Sequence, residues 1–188
     1  MGTHRGVGAL AVRSGRATGT AVVPADAHQA WQATQATSEI DGPVYIRMAK
    51  KNEPLVHSGV PDFSIGKGLI VRQGTDICFL NAGSLLPIAM DAADVLLEKG
   101  ISVQVVSMHT VKPLDETLLH DVFLNFSHVF TLEEHSILGG FGGSVAEWLS
   151  QQRDLRGRLM RIGTQDKFMA EAGAQDHARK FFGISKEQ

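Results

Sequence analysis

Cysteine is nearly absent. Of 188 residues only Cys78 is one, which leaves no intramolecular disulfide and no CxxC pair for zinc or redox chemistry. Such a chain suits a reducing, cytoplasmic setting. No charge of one sign dominates either: the formal net charge is −2 and Lys and Arg form no concentrated stripe, which argues against nucleic acid as a partner. No run approaches the ~18 apolar residues of a membrane span, so no membrane association is expected. The start, Met1-Gly2-Thr3-His4-Arg5, leads into a stretch broken by Arg13, Gly15 and Arg16 and holds no signal-peptide core. A Walker loop, a serine-hydrolase elbow, a kinase signature and internal repeats are all missing.

What remains is the composition of a globular protein, 43% hydrophobic and 20% charged. The length suits one domain, or one domain and part of another. From Ile77 onward, short apolar runs alternate with amphipathic segments. Ile77–Leu80 reads as a buried strand, and Ser84 as the cap of a helix carrying Leu85, Ile88, Ala89, Ala92, Val95 and Leu96, which Gly100 stops. Val103, Val105 and Val106 mark a second strand running toward Pro113. Asp115 caps a short helix from Glu116 to about Asn125. His128–Leu132 is a third strand and Gly139–Gly143 a flexible turn, with Ser144 capping the helix of Val145, Ala146, Trp148 and Leu149. Leu159–Ile162 is a fourth strand, and a helix around Asp176–Phe182 ends at Gly183. Right-handed crossovers between such units require an α/β architecture: a three-layer, mostly parallel, Rossmann-like sheet with helices on both faces.

The earlier residues differ. Ala21-Val22-Val23 is a strand, Asp26 caps a helix to about Ser38, and Val44–Met48 is another strand, making one βαβ unit. Two strands and one helix cannot bury both faces of a parallel sheet. We therefore expect 59–188 to be a complete domain and 1–58 the end of another unit plus its linker, with 1–20, which carry almost no periodic signal, disordered.

Three motifs bear on chemistry. The glycine-rich segment Gly139-Gly140-Phe141-Gly142-Gly143 lies where a phosphate loop would lie, but it fails the dinucleotide fingerprint: Val145 stands at the third glycine and no acidic residue follows at the required distance. Glu133-Glu134-His135 stands at a strand's C-terminal end, where open α/β sheets place ligands. It lacks HExxH spacing and a second ligand cluster, which favours a strand-end or interface role for Glu133, Glu134, His135, Gly139 and Gly140 over catalysis or metal binding. Lys50 and Lys51 follow the Val44–Met48 strand, beside Arg47, where a cation can face a phosphate or simply water. The remaining histidines, His57 and His109 among them, read as isolated. Cys78 reads as a buried hydrophobe.

The order of segments then becomes informative. Pro24-Ala25-Asp26, Gly42-Pro43-Val44-Tyr45-Ile46-Arg47, Gly83-Ser84, Val111-Lys112-Pro113-Leu114-Asp115 and Glu133-Glu134-His135-Ser136-Ile137-Leu138-Gly139-Gly140 together resemble the C-terminal region of transketolases. The likeness extends to the C-terminal subunit of split transketolases and, more distantly, to deoxyxylulose-phosphate synthase. It implies that 59–188 is the family's C-terminal domain and that 1–58 holds the end of the pyrimidine-binding domain, with a shifted reading frame expected in 1–20, where 5–20 match the family in length but hardly in residue type. Complete members use thiamine diphosphate and Mg²⁺ to move a two-carbon ketol unit between sugar phosphates. Their Gly-Asp-Gly motif, paired asparagines and activating glutamate are not in this sequence. For this chain alone the resemblance implies no cofactor, no metal site and no catalytic residue, while His4 and Lys50 match substrate-side positions. Lysine in place of the family's arginine keeps the charge and loses the bidentate fork. The implied role is association, as a homodimer or with a complementary transketolase N-terminal subunit. A regulatory module binding a small anion or a protein is the other class of function.

Overall fold

The structure is a computed structural model that describes residues 18–49 and 53–185. In chain order the elements are β1 (Thr20–Val22), α1 (Ala27–Thr37), β2 (Val44–Ile46), β3 (Leu69–Arg72), β4 (Ile77–Ala82), α2 (Leu86–Glu98), β5 (Val103–Ser107), β6 (Thr110–Lys112), α3 (Glu116–Asn125), β7 (His128–Ser136), α4 (Phe141–Ser150), β8 (Arg158–Thr164) and α5 (Gln175–Phe182).

The larger sheet has the order β3-β5-β4-β7-β8. Its four central and later strands run parallel, and β3 closes one edge antiparallel to β5. Alternation along each strand sorts the side chains into two layers. Cys78, Leu80, Val106 and Val129 meet Leu119, Val122 and Phe123 of α3 and Phe141, Val145 and Trp148 of α4. Phe79, Val103, Val105 and Leu132 meet Leu86, Ala89 and Ala93 of α2 on the opposite face, with Ile184 beyond α5. Helices on both faces cover a sheet too apolar to face water on either. Cys78 is fully buried, and burial pushes its thiol up to about 12, as expected of a packing residue.

The strand expected to run toward Pro113 is two strands. β5 ends at Ser107, and β6 leaves the large sheet to pair antiparallel with β1, whose other neighbour is the parallel β2. The βαβ unit thus acquires a third strand from 64 residues or more downstream of β2, which patterning along the chain does not disclose. Ala21, Val23 and Val111 of this small sheet share one apolar cluster with Leu80 and Phe141. β3, too, goes unread in the sequence, because four residues at an edge show little periodicity.

Helix α1 begins as anticipated: Asp26 Oδ1 accepts the Gln29 N–H at 3.0 Å. Asp115 likewise accepts the Leu118 N–H at 3.2 Å at the head of α3. Gly183 follows α5 in the left-handed region, φ 70°, where a residue without Cβ is favoured. Among the described residues no helix is long and apolar enough to cross a membrane.

Candidate functional site

Strand β4 is flanked by β5 on one side and β7 on the other, so the connections after β4 and after β7 depart to opposite faces of the sheet. Their carboxyl ends frame the crevice where such sheets hold ligands. The β4 end supplies Ser84 and the β7 end Glu134. The small sheet adds Val23 and Pro24 after β1 and Arg47, Met48 and Ala49 after β2, and Gln175 opens α5. Together these line a cavity of about 120 Å³.

Strand alternation divides Glu133-Glu134-His135. Glu133 and His135 point to the α4 face and are buried, 1% and 0% exposed, while Glu134 points into the crevice. The Glu133 carboxylate accepts the N–H of Phe141 at 2.7 Å and of Gly142 at 2.8 Å, which places it at the head of α4. This is the position a phosphate takes at a glycine-rich helix N-terminus, and here the chain's own carboxylate fills it. Gly140 is required for this approach: a Cβ there would overlap the carboxylate and come within 2.6 Å of the Ser136 carbonyl oxygen. Burial pushes the Glu133 carboxyl up to about 7, against the pull of the two N–H donors, Arg47 and Arg161. His135 Nδ1 lies 3.0 Å from the Ser136 carbonyl oxygen, which makes it the protonated nitrogen, and Nε2 is buried without a partner. Burial lowers the His135 pKa, and Arg47 reinforces that against the Ser136 bond.

Both anticipated caps at this edge of the sheet are replaced. Helix α4 starts at Phe141 with Gly140 as N-cap, three residues before Ser144, because Glu133 satisfies the first donors from outside the helix. Helix α2 starts at Leu86 with no side-chain cap. Ser84 instead donates its hydroxyl to Glu134 Oε2 at 2.7 Å.

Glu134 is the hub of the crevice. Its carboxylate also accepts from Gln175 Nε2 at 3.0 Å and from Arg179 Nη2 at 2.7 Å, and its backbone oxygen accepts from Arg47 Nη2 at 2.7 Å. Glu53 joins through Gln175 Nε2 at 3.2 Å and Arg179 Nη2 at 3.6 Å. Burial alone would lower the Arg179 pKa, but the hydrogen bond and charge of Glu134, with Glu53 and Asp176, raise it above its ordinary value. A second polar knot lies under α1. Asp26 Oδ2 accepts the N–H of Val56 and His57 at 3.1 Å each and stands 2.7 Å from His57 Nδ1. His109 is buried against Phe63, ring centroids 4.0 Å apart, and burial, with the His57 charge, holds it down at about 4.

Of the anticipated site residues, Glu133, Glu134, His135, Gly139 and Gly140 cluster at one strand end, though on two faces of the sheet. His4 and Lys50 lie outside the described residues. Arg179, Gln175, Glu53 and the Asp26–His57 pair were not anticipated. The partners of Glu134 are 41 and 45 residues away in sequence, and no local spacing announces them. The crevice is suited to binding and holding: every carboxylate oxygen of Glu134 already has a donor. Among the described residues no group of three His, Cys, Asp or Glu side chains converges to hold a metal ion.

Comparison with known proteins agrees with this architecture. The sequence family described as "Transketolase, C-terminal domain" matches residues 66–188. A protein of Methanocaldococcus jannaschii named as a transketolase C-terminal section is 34% identical over 168 residues, which are 88% of this chain and 52% of that one. The 6-deoxy-6-sulfo-D-fructose transketolase subunit SqwH of a Clostridium species is 31% identical, over 100% of this chain and 57% of its own. A solved structure titled as a split gene transketolase, inactive β4 tetramer, superposes with a TM-score of 0.86 at 30% identity and covers 96% of this chain and 57% of that one. The chain thus spans about half the length of the curated relatives it matches.

Proposed function

This chain belongs to the family of transketolase C-terminal domains, and we propose that it acts by association, as the C-terminal part of a thiamine-diphosphate-dependent transketolase. Alone it forms a homodimer. A complementary chain carrying the cofactor-binding region completes an enzyme that moves a two-carbon ketol unit between sugar phosphates. The observation that carries this reading is the likeness, over 96% of the chain, to a subunit of a split transketolase.

Thiamine diphosphate supplies a carbanion equivalent when bound, and its diphosphate needs a metal with oxygen ligands. Among the described residues no three His, Cys, Asp or Glu side chains converge on a metal position, and the phosphate-like position at the head of α4 is taken by Glu133. His4 and Lys50 remain our candidates for the substrate side, Lys50 for the sugar phosphate.

Light scattering and calorimetry test the proposal together. The purified chain is expected to be dimeric at micromolar concentration, to bind thiamine diphosphate with Mg²⁺ no more tightly than millimolar, and to transfer ketol units only when the complementary chain is added. A monodisperse monomer would defeat the association, and submillimolar cofactor binding by the isolated chain would overturn the division of labour.

A further inference from the structure

Helix α1 turns Gln29 and Ala33 inward and leaves its other side to solvent. It is the one helix among the described residues with no Asp, Glu, Lys or Arg, while α2, α3, α4 and α5 each carry at least one. In the middle of its outward side stands Trp31, 63% exposed, a ring that removes about 150–250 Å² from water when covered. Ala27, Trp31, Thr34 and Ser38 are all exposed and recur at intervals of four, three and four, so they form one row along the helix. The hydroxyls in that row turn back on the helix itself: Thr34 donates to the Ala30 carbonyl oxygen at 2.8 Å and Ser38 to that of Gln35 at 2.7 Å. Gln32 reaches the Pro61 carbonyl oxygen at 3.5 Å, which brings Val60, 64% exposed, to the border of the row. The face is neutral and has an aromatic centre.

We propose that this face is the contact between two copies of the chain, α1 packing antiparallel on α1 of the partner about a two-fold axis. The inference rests on the homodimer read above and names its surface. Two features favour a second copy over any other partner. Near a two-fold axis every charged side chain meets its own kind, so a contact of like with like needs a charge-free centre, and α1 supplies one. The row is also complementary to itself. With the axis midway between Trp31 and Thr34, Trp31 covers the partner's Thr34 and Ala27 the partner's Ser38, so the large ring meets a small side chain and never its own copy.

The pairing fixes which positions approach each other. The two copies of Ala27 lie about 16 Å apart along the helices, as do the two copies of Ser38, whereas Ala27 of one copy lies beside Ser38 of the other. Oxidation of an equimolar mixture of Ala27→Cys and Ser38→Cys chains is therefore expected to give a disulfide-linked dimer, and oxidation of either variant alone to give none; Cys78 is buried and takes no part. No link in the mixture, or equal linking in all three samples, overturns the pairing. Acrylamide quenching of the unsubstituted chain reads the face itself. The other tryptophan, Trp148, is 8% exposed, so the quenchable emission belongs to Trp31, and its quenching constant is expected to fall about threefold or more from the diluted monomer to the dimer. Trp31→Ala is expected to raise the Kd of the dimer about thirtyfold or more, as loss of a central aromatic anchor does. A dimeric wild type whose quenching and Kd are both unmoved overturns the face and leaves the homodimer standing. A wild-type chain that stays monomeric at micromolar concentration removes both.

Discussion

In the five-stranded sheet, Leu80, Val105 and Val129 lie under helices on both faces, and the tilted rings of Phe123 and Trp148 pack with centroids 6.0 Å apart between α3 and α4. The three-stranded sheet has one helix of its own, and that helix is fastened by polar groups. Gln29 accepts the Ala25 N–H and bonds Ser107 at the end of β5, Asp26 gathers Val56 and His57, and Arg47 reaches Glu134. The difference follows from the supply of apolar surface. Strands of five to nine residues with alternating faces can bury a layer on each side, whereas strands of three residues cannot. The small sheet therefore takes its third strand, β6, from the chain that follows β5, and draws hydrogen-bond partners from the large sheet.

If apolar packing holds the large sheet, deleting a ring there has the greatest effect. Phe123→Ala empties a fully buried site between α3 and Trp148 and is expected to cost about 3–5 kcal/mol in urea unfolding. A loss below about 1 kcal/mol would contradict a dense core at that position. Glu133 is the polar exception within the large sheet, and its effect depends on pH. Its carboxyl, ordinarily near 4.5, is raised to about 7 in the folded chain, so the native state holds the proton more tightly than the unfolded one. Its contribution to stability is complete below pH 4.5 and is lost as pH rises through 7, a change of about 3 kcal/mol at one kcal-scale step per pKa unit. Glu133→Gln is expected to flatten the melting temperature over that window, and a wild-type slope retained by the variant would refute the assignment.

A smaller loss is expected in the small sheet. Asp26→Asn keeps the helix-capping oxygen and turns an amide toward the Val56 and His57 donors, costing about 2 kcal/mol. Burial works to raise the Asp26 pKa, but the Gln29 and His57 bonds prevail and lower it below 3.8. The stability Asp26 contributes is therefore present above pH 3.8 and lost as acid protonates it in the fold. Hydrogen exchange sharpens the comparison: Asp26→Asn should speed exchange in α1 and β1 and leave β4 and β7 unaltered. Equal acceleration in both sheets would mean that they open as one unit.

How much of this was legible depended on range. The α2, α3 and α4 helices and the β4, β5 and β7 strands follow from periodicity, and Asp26 and Asp115 were readable as caps because their donors lie three residues away. Ser84 and Ser144 had the same local signature and do not cap. A carboxylate from β7 claimed the α4 donors and, through its neighbour, the Ser84 hydroxyl. The cluster Glu133-Glu134-His135 was visible at a strand end, but whether its members share a function was not. Alternation sends Glu133 and Glu134 to opposite faces, and the surroundings of each then set its chemistry.

The amino-acid order by itself determined the α/β class, the order of its units, the burial of Cys78 and the family, since each rests on local periodicity or on an ordered set of short segments. The tertiary structure alone decided that β6 would complete the first sheet, that Glu133 would occupy the anion position at α4, and that Arg179 would meet Glu53 and Glu134. Their partners stand from 8 residues apart, Glu133 and Phe141, to 45, Glu134 and Arg179, and farther still for Glu53. They are chosen by which charges and donors remain unsatisfied once the apolar layers have closed, a quantity no stretch of sequence contains.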